Sequence, residues 1–232
     1  MNTRFDNHAK TYRDDVQSSI SFSGQDVEYF TRRKADLLRS ITERLLGDCT
    51  GLVALDVGSG SGSMDAVLTG HFGLLAGCDP SVKSVEMAAA DNTEPRYLAA
   101  DGASLPYRDS SVDVAFAINV LHHVEPPDRD GFLAEVSRVV RPGGLVLIFE
   151  HNPWNPLTRV SVSRCEFDEG VELLTKRELR ERVTRCGLQP LEQRYIVFTP
   201  IDSPLVHRIE NRLGGIPLGA QQYTVAMRPY DS

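Results

Sequence analysis

The chain has 232 residues and a formal net charge of −7 at neutral pH, a size that one α/β domain with a short N-terminal addition can fill. An acidic balance without a basic stripe argues against gripping a phosphate backbone, so no nucleic-acid partner is expected. Hydrophobic residues make up 41%, enough for a core, and no uncharged apolar run approaches the roughly 20 residues of a membrane span. The opening MNTRFDNHAKTYRDD is charged and has no apolar centre, unlike a secretory leader. Cys49, Cys78, Cys165 and Cys186 form no C-x-x-C pair, which argues against a zinc site and against a disulfide framework; no metal is expected, and a reducing cytoplasm is the expected setting.

In chain order, Val27, Phe30, Leu37, Leu38, Ile41, Leu45 and Leu46 recur at helical spacing, predicting an amphipathic helix over 25–46 that stops at Gly47. Leu52–Val57 is a short apolar run ending in a glycine cluster, the pattern of a buried strand feeding a turn, with Ser63 as the expected cap of the next helix. Strands are then expected at 74–78, 96–99, 112–118 and 145–149, and helices at 82–90 and 129–140. This alternation predicts a doubly wound, mostly parallel sheet with helices on both faces and ligands at the carboxyl ends of the strands. Residues 151–174 break the pattern and read as a long acceptor-side insertion in a domain spanning 48–232. Helix 175–186, stopped by Gly187, a short helix at 206–213 and strands at 191–198 and 223–227 complete the chain.

The glycine cluster Asp56-Val57-Gly58-Ser59-Gly60-Ser61-Gly62 permits a tight turn and close approach of a ligand to backbone. A dinucleotide fingerprint would place a glycine where this chain has Ser63, which disfavours NAD. Asp79, at the end of the second strand, can accept from two ribose hydroxyls. Asp101, after the third, can accept from the exocyclic amine of adenine. Taken singly, Asp79 before Pro80 could only cap a helix and Asp101 before Gly102 could only make a turn; their placement after consecutive strands favours a joint role. Asp113 reads as structural.

The motifs LDVGSGSG, PYRDSSVDVAFAINVLHHV and Arg141-Pro142-Gly143-Gly144, in this order over roughly residues 50–150, resemble those of Rossmann-like, class I S-adenosylmethionine-dependent methyltransferases that act on small molecules, typified by the ubiquinone and menaquinone biosynthesis group. The resemblance implies a seven-stranded sheet whose last strand is antiparallel, with S-adenosylmethionine across its carboxyl edge. It places Gly58, Ser59 and Gly60 at the amino-acid part of the cofactor, Asp79 and Pro80 at the ribose, Asp101, Gly102 and Ala103 at the adenine, and Asn119 under the methionine. Asp56 would order the loop by hydrogen bonding. Residues 1–47, with Phe5, Tyr12, Ile20 and Phe22, resemble the N-terminal helical lid of such enzymes.

Methyl transfer to an alcohol or phenol requires a base, and the candidates are His151, His122 and His123, in that order for the first two. Trp154, between Pro153 and Pro156, is expected to wall the acceptor pocket. The expected partner is a small organic acceptor, methylated on oxygen, with carbon methylation of an activated ring and a non-catalytic cofactor-binding role as alternatives; the chain would act as a monomer or homodimer.

Overall fold

The computed structural model describes residues 17–19 and 26–230. Phe5, Tyr12, Ile20 and Phe22 lie outside these residues. Seven strands form one sheet: β1 Val53–Val57, β2 Leu74–Asp79, β3 Arg96–Ala99, β4 Val112–Ile118, β5 Val140–His151, β6 Gln189–Ile196 and β7 Gln221–Met227. Their order is β3-β2-β1-β4-β5-β7-β6. The five strands from β3 to β5 pair in parallel, while β7 runs antiparallel to both β5 and β6. The expected doubly wound sheet and its antiparallel ending are both present.

Alternation along the central strands decides which helices cover which face. Val114, Phe116, Leu145, Leu147 and Phe149 pack on one face with Leu38 and Ile41 of α1 (Val27–Leu46) and Leu68 of α2 (Ser63–Leu68). Ala115, Ala117, Val146 and Ile148 pack on the other, against Phe132 and Leu133 of α4 (Arg129–Val139) and Leu179 and Val183 of α6 (Lys176–Arg185). The helix between them, α3 (Val82–Asp91), lies along β2 and β3.

Local chemistry explains most boundaries. Asp26 caps α1 by accepting the Tyr29 N–H at 2.7 Å, and Gly47 ends the helix at a φ of 81°. Thr175 caps α6 through the Glu178 N–H. Ser63 does not cap α2: it is the first helical residue and follows Gly62, which stands in the left-handed region with no side chain to offer. The positive φ demanded at position 62 by the loop selects glycine over a capping residue there.

The stretch expected to be irregular holds a helix, α5 (Pro156–Arg164), and a 3-10 turn, Glu166–Asp168. Asn155 caps α5 through the N–H groups of Leu157 and Thr158, and Pro156 occupies the first turn, where its missing donor costs nothing. Leu157 and Val160 remain exposed, so the helix lacks the apolar periodicity that would have announced it. The insertion is fastened by Arg129, only 1% exposed, whose guanidinium donates to the carbonyls of Val124 at 3.0 Å and Glu172 at 2.8 Å. The last helix is α7 (Pro204–Leu213). Among the described residues no helix is long and apolar enough to cross a membrane, and all four cysteines are free thiols.

Asp113 is structural, as expected. It accepts the Val53 N–H at 2.8 Å where β1 begins and pairs with Arg141 on β5, tying three neighbouring strands. Asp113→Ala should cost about 1–3 kcal/mol, the scale for orphaning a buried donor, read as a lower urea midpoint with cofactor affinity unchanged.

Candidate functional site

The glycine loop after β1 is held by β2. Gly58 and Ser59 donate their N–H groups to the Cys78 carbonyl at 2.7 and 3.0 Å, and Gly60 donates to Asp79 Oδ2 at 3.0 Å. A Cβ on Gly58, at a φ of 84°, would meet Val120 Cγ2 at 2.5 Å, whereas above Gly60 the space is open. The loop therefore abuts Val120, just after β4, and borders a cavity of about 1160 Å³. All of the expected cofactor residues line that cavity: Asp56, Gly58, Ser59, Gly60, Asp79, Pro80, Asp101, Gly102, Ala103 and Asn119.

Asp79 uses Oδ1 to accept the Ser81 N–H at 2.8 Å, so its carboxylate both braces the loop and faces the cavity. Asp101 closes a turn, Oδ1 accepting the Ala103 N–H at 3.0 Å. Asn119 stands at a φ of 56°, its N–H given to the Phe149 carbonyl at 2.8 Å. Its side-chain oxygen is buried without a hydrogen-bond partner, a vacancy that a donor group of a bound ligand satisfies. An open glycine cradle, an orphaned acceptor and two carboxylates on one cavity wall fit S-adenosylmethionine, whose ammonium and hydroxyl groups are donors.

Asp56 does not order the loop in the expected way. The loop N–H groups go to Cys78 and Asp79, and Asp56 Oδ1 has no hydrogen-bond partner. Instead its buried carboxyl interacts with that of Asp65 on α2, likewise buried. Burial, with the charges of Asp65 and Asp79, pushes the Asp56 pKa well up. Burial raises Asp65 to about 7 against the opposing effects of Tyr97 and Asp56. Lys34 of α1 is lowered to about 8 by burial, although Glu150 and Asp56 favour its charge.

The three histidines meet in the lining of the same cavity. His122 and His123 form a 3-10 turn after β4, and His151 ends β5; their ring centroids lie 4.2 Å apart for His122–His123 and 5.2 Å for His122–His151. Two carboxylates not singled out in the sequence join them. Glu150, 1% exposed, accepts the Leu121 N–H at 2.7 Å and holds His122 Nδ1 at 2.6 Å. Asp168, from the insertion, stands 3.3 Å from His123 Nε2 and 3.6 Å from His122 Nε2. Burial disfavours the His122 cation, but Glu150 and Asp168 outweigh it and bring the pKa up to about 9. For His151 burial and the neighbouring His122 charge act together, lowering it to about 4. Lys34, Glu150 and Asp168 lacked a local motif; an acidic residue directly after the apolar run 145–149 was the one available signal.

Trp154 is 64% exposed and does not line the cavity. Asn152 holds its N–H at 3.0 Å and turns the ring outward, while Leu157, Thr158, Ser161 and Phe167 supply the wall instead.

The seven-stranded sheet, in the order β3-β2-β1-β4-β5-β7-β6, is the fold of Rossmann-like S-adenosylmethionine-dependent methyltransferases. Residues 55–148 match the family described as Methyltransferase domain. An uncharacterized methyltransferase of Mycobacterium sp. (strain KMS) is 40% identical over 137 residues, 59% of this chain and 52% of its own length; the chain thus spans about half of that relative. A magnesium protoporphyrin IX methyltransferase from Synechocystis PCC 6803, solved with S-adenosylhomocysteine, shares the fold with a TM-score of 0.62 at 14% identity, covering 85% of this chain and 83% of that one. A methyltransferase from Thermotoga maritima gives a TM-score of 0.63 at 19% identity, covering 86% and 92%.

The Asp56–Asp65 pair makes stability fall with alkalinity. A carboxyl raised from about 3.8 to about 7 on folding contributes fully below pH 4, and its contribution is lost as pH rises through 7. Urea unfolding of the parent should therefore show a declining midpoint between pH 5 and 8.5, and Asp65→Asn should flatten that slope.

Proposed function

We propose that this protein methylates an oxygen atom of a small organic acceptor, with His151 as the proton acceptor. When bound, S-adenosylmethionine would supply a sulfonium-activated methyl group for transfer to the acceptor oxygen, leaving S-adenosylhomocysteine. The observation that carries the reading is the shared cavity: the glycine loop and the histidines line one space of about 1160 Å³, large enough for cofactor and acceptor together.

Asp79 binds the ribose hydroxyls, Asp101 with Gly102 and Ala103 the adenine, Gly58, Ser59 and Gly60 the amino-acid end, and Asn119 the methionine ammonium. His151 is uncharged at neutral pH and so has a lone pair for the acceptor proton. His122 ranks second because Glu150 and Asp168 favour its cation, and His123 third because Asp168 occupies its Nε2 side. The outward face of Trp154 leaves Leu157 and Phe167 as the apolar wall for the acceptor body.

Two measurements test this reading. In calorimetry, Asp79→Ala and Asp101→Ala should each weaken S-adenosylhomocysteine binding by about 1–3 kcal/mol, and unchanged affinity in the folded double variant overturns the placement. In single-turnover assays with hydroxyl acceptors found by screening for labelled methyl uptake, His151→Ala should lower the rate about 10²- to 10⁴-fold with cofactor affinity intact. A rate within a few-fold of the parent removes His151 as the base, and label found only on carbon overturns the oxygen assignment.

A further inference from the structure

We propose that His122, His123 and Asp168 form a binding site for a divalent ion of the zinc class, open toward the cofactor cavity. Asp168 Oδ1 lies 3.3 Å from His123 Nε2 and 3.6 Å from His122 Nε2, and one donor atom from each residue falls within 4.8 Å of the others. Ligands about 2.0–2.1 Å from a tetrahedral centre are about 3.4 Å apart, so the two distances to Asp168 already match the edges of such a site. The spacing is too long for a good hydrogen bond between His122 and Asp168.

The state of His122 supplies a second, independent observation. Its side chain is 3% exposed, and Nε2 is buried without a hydrogen-bond partner. Nδ1 is engaged by the Glu150 carboxylate at 2.6 Å. A carboxylate on one ring nitrogen holds the proton there and turns the lone pair of the other toward an ion, which is how metal-binding histidines are ordinarily oriented. Without an ion, Nε2 faces the Asp168 carboxylate at 3.6 Å, longer than a hydrogen bond. An ion between the three side chains would displace the Nε2 proton and take that nitrogen as a ligand.

The donors select the metal class. Two imidazoles and one carboxylate suit zinc, cobalt or nickel, whereas calcium and magnesium prefer oxygen ligands throughout. The four cysteines are free thiols, and the gathered donor set contains none of them. All three ligand residues line the cavity, so the fourth position faces the space assigned to the acceptor. Three protein ligands with one open position describe a catalytic rather than a structural zinc site. There the ion would hold an acceptor hydroxyl as its anion, releasing a proton to His151, whose ring lies outside the ligand set. This last step rests on the oxygen-methylation reading above; metal binding itself does not.

The test is titration of the full chain, stripped with chelator, with Co²⁺ in the presence and absence of S-adenosylhomocysteine. The expected result is visible d–d absorption that saturates at one equivalent and is displaced by Zn²⁺. His123→Ala and Asp168→Asn should abolish it while S-adenosylhomocysteine binding, measured in parallel, shows that both variants fold. Glu150→Gln should weaken uptake about 10- to 100-fold, as expected for loss of the group that orients a ligand. The proposal is overturned if the parent shows no saturable absorption, or if the signal persists in both folded variants. Cobalt binding without methylation of any hydroxyl supports the metal site and overturns the oxygen reading alone. Hydroxyl methylation by a parent that takes up no cobalt does the reverse.

Discussion

The Glu150 carboxylate is the group on which the histidine-lined side of the cavity depends. It stands one residue before the end of β5 at 1% exposure, where an unpaired charge would cost several kcal/mol. That cost is offset only because one oxygen takes the Leu121 N–H and the other takes His122 Nδ1. These bonds set the path of the chain after β4: they fold Leu121–His123 into a 3-10 turn and aim an imidazole into the cavity. The carboxylate thus orients the site and anchors the strand connection with the same two oxygens.

The glycine-loop side of the cavity is built on a different principle. Its loop is fixed mostly by backbone, through the Cys78 carbonyl and the Asp79 carboxylate, so the wall facing the ligand carries few side chains. Beneath it lies the Asp56–Asp65 pair, two carboxyls buried so close that they do not both ionise readily. Lys34 approaches from α1 and is drawn toward charge by both Glu150 and Asp56. The two halves of the cavity are therefore linked electrostatically through one buried cation, and a change in the protonation of either half is felt by the other.

The insertion between β5 and α6 joins these halves to the acceptor space. Arg129 fastens it by two carbonyls, and that restraint brings Asp168 against the histidine turn. Ser19, from the short described stretch of the N-terminal region, is buried at the cavity wall with its hydroxyl 3.3 Å from that of Ser161 on α5. Contacts of this kind close the histidine side of the cavity with pieces far apart in sequence, whereas the glycine-loop side is assembled from consecutive strand ends.

That difference explains what could be read in advance. Sequence alone determined the alternating strands and helices, because their periods differ, while the family resemblance implied the antiparallel close and the residues expected to face a cofactor. It also singled out the three histidines, which share the same edge. The helix α5 escaped notice because its apolar residues face outward and its start depends on Asn155 capping. Trp154 was misplaced because a flat apolar side chain does not announce which way a turn will point it. Only the tertiary structure decided the charge states of His122 and His151, the partnership of Asp56 with Asp65, and the arrival of Asp168 beside the imidazoles. Each of these depends on burial and on distances across the fold, and neither quantity is encoded in the spacing of residues along the chain.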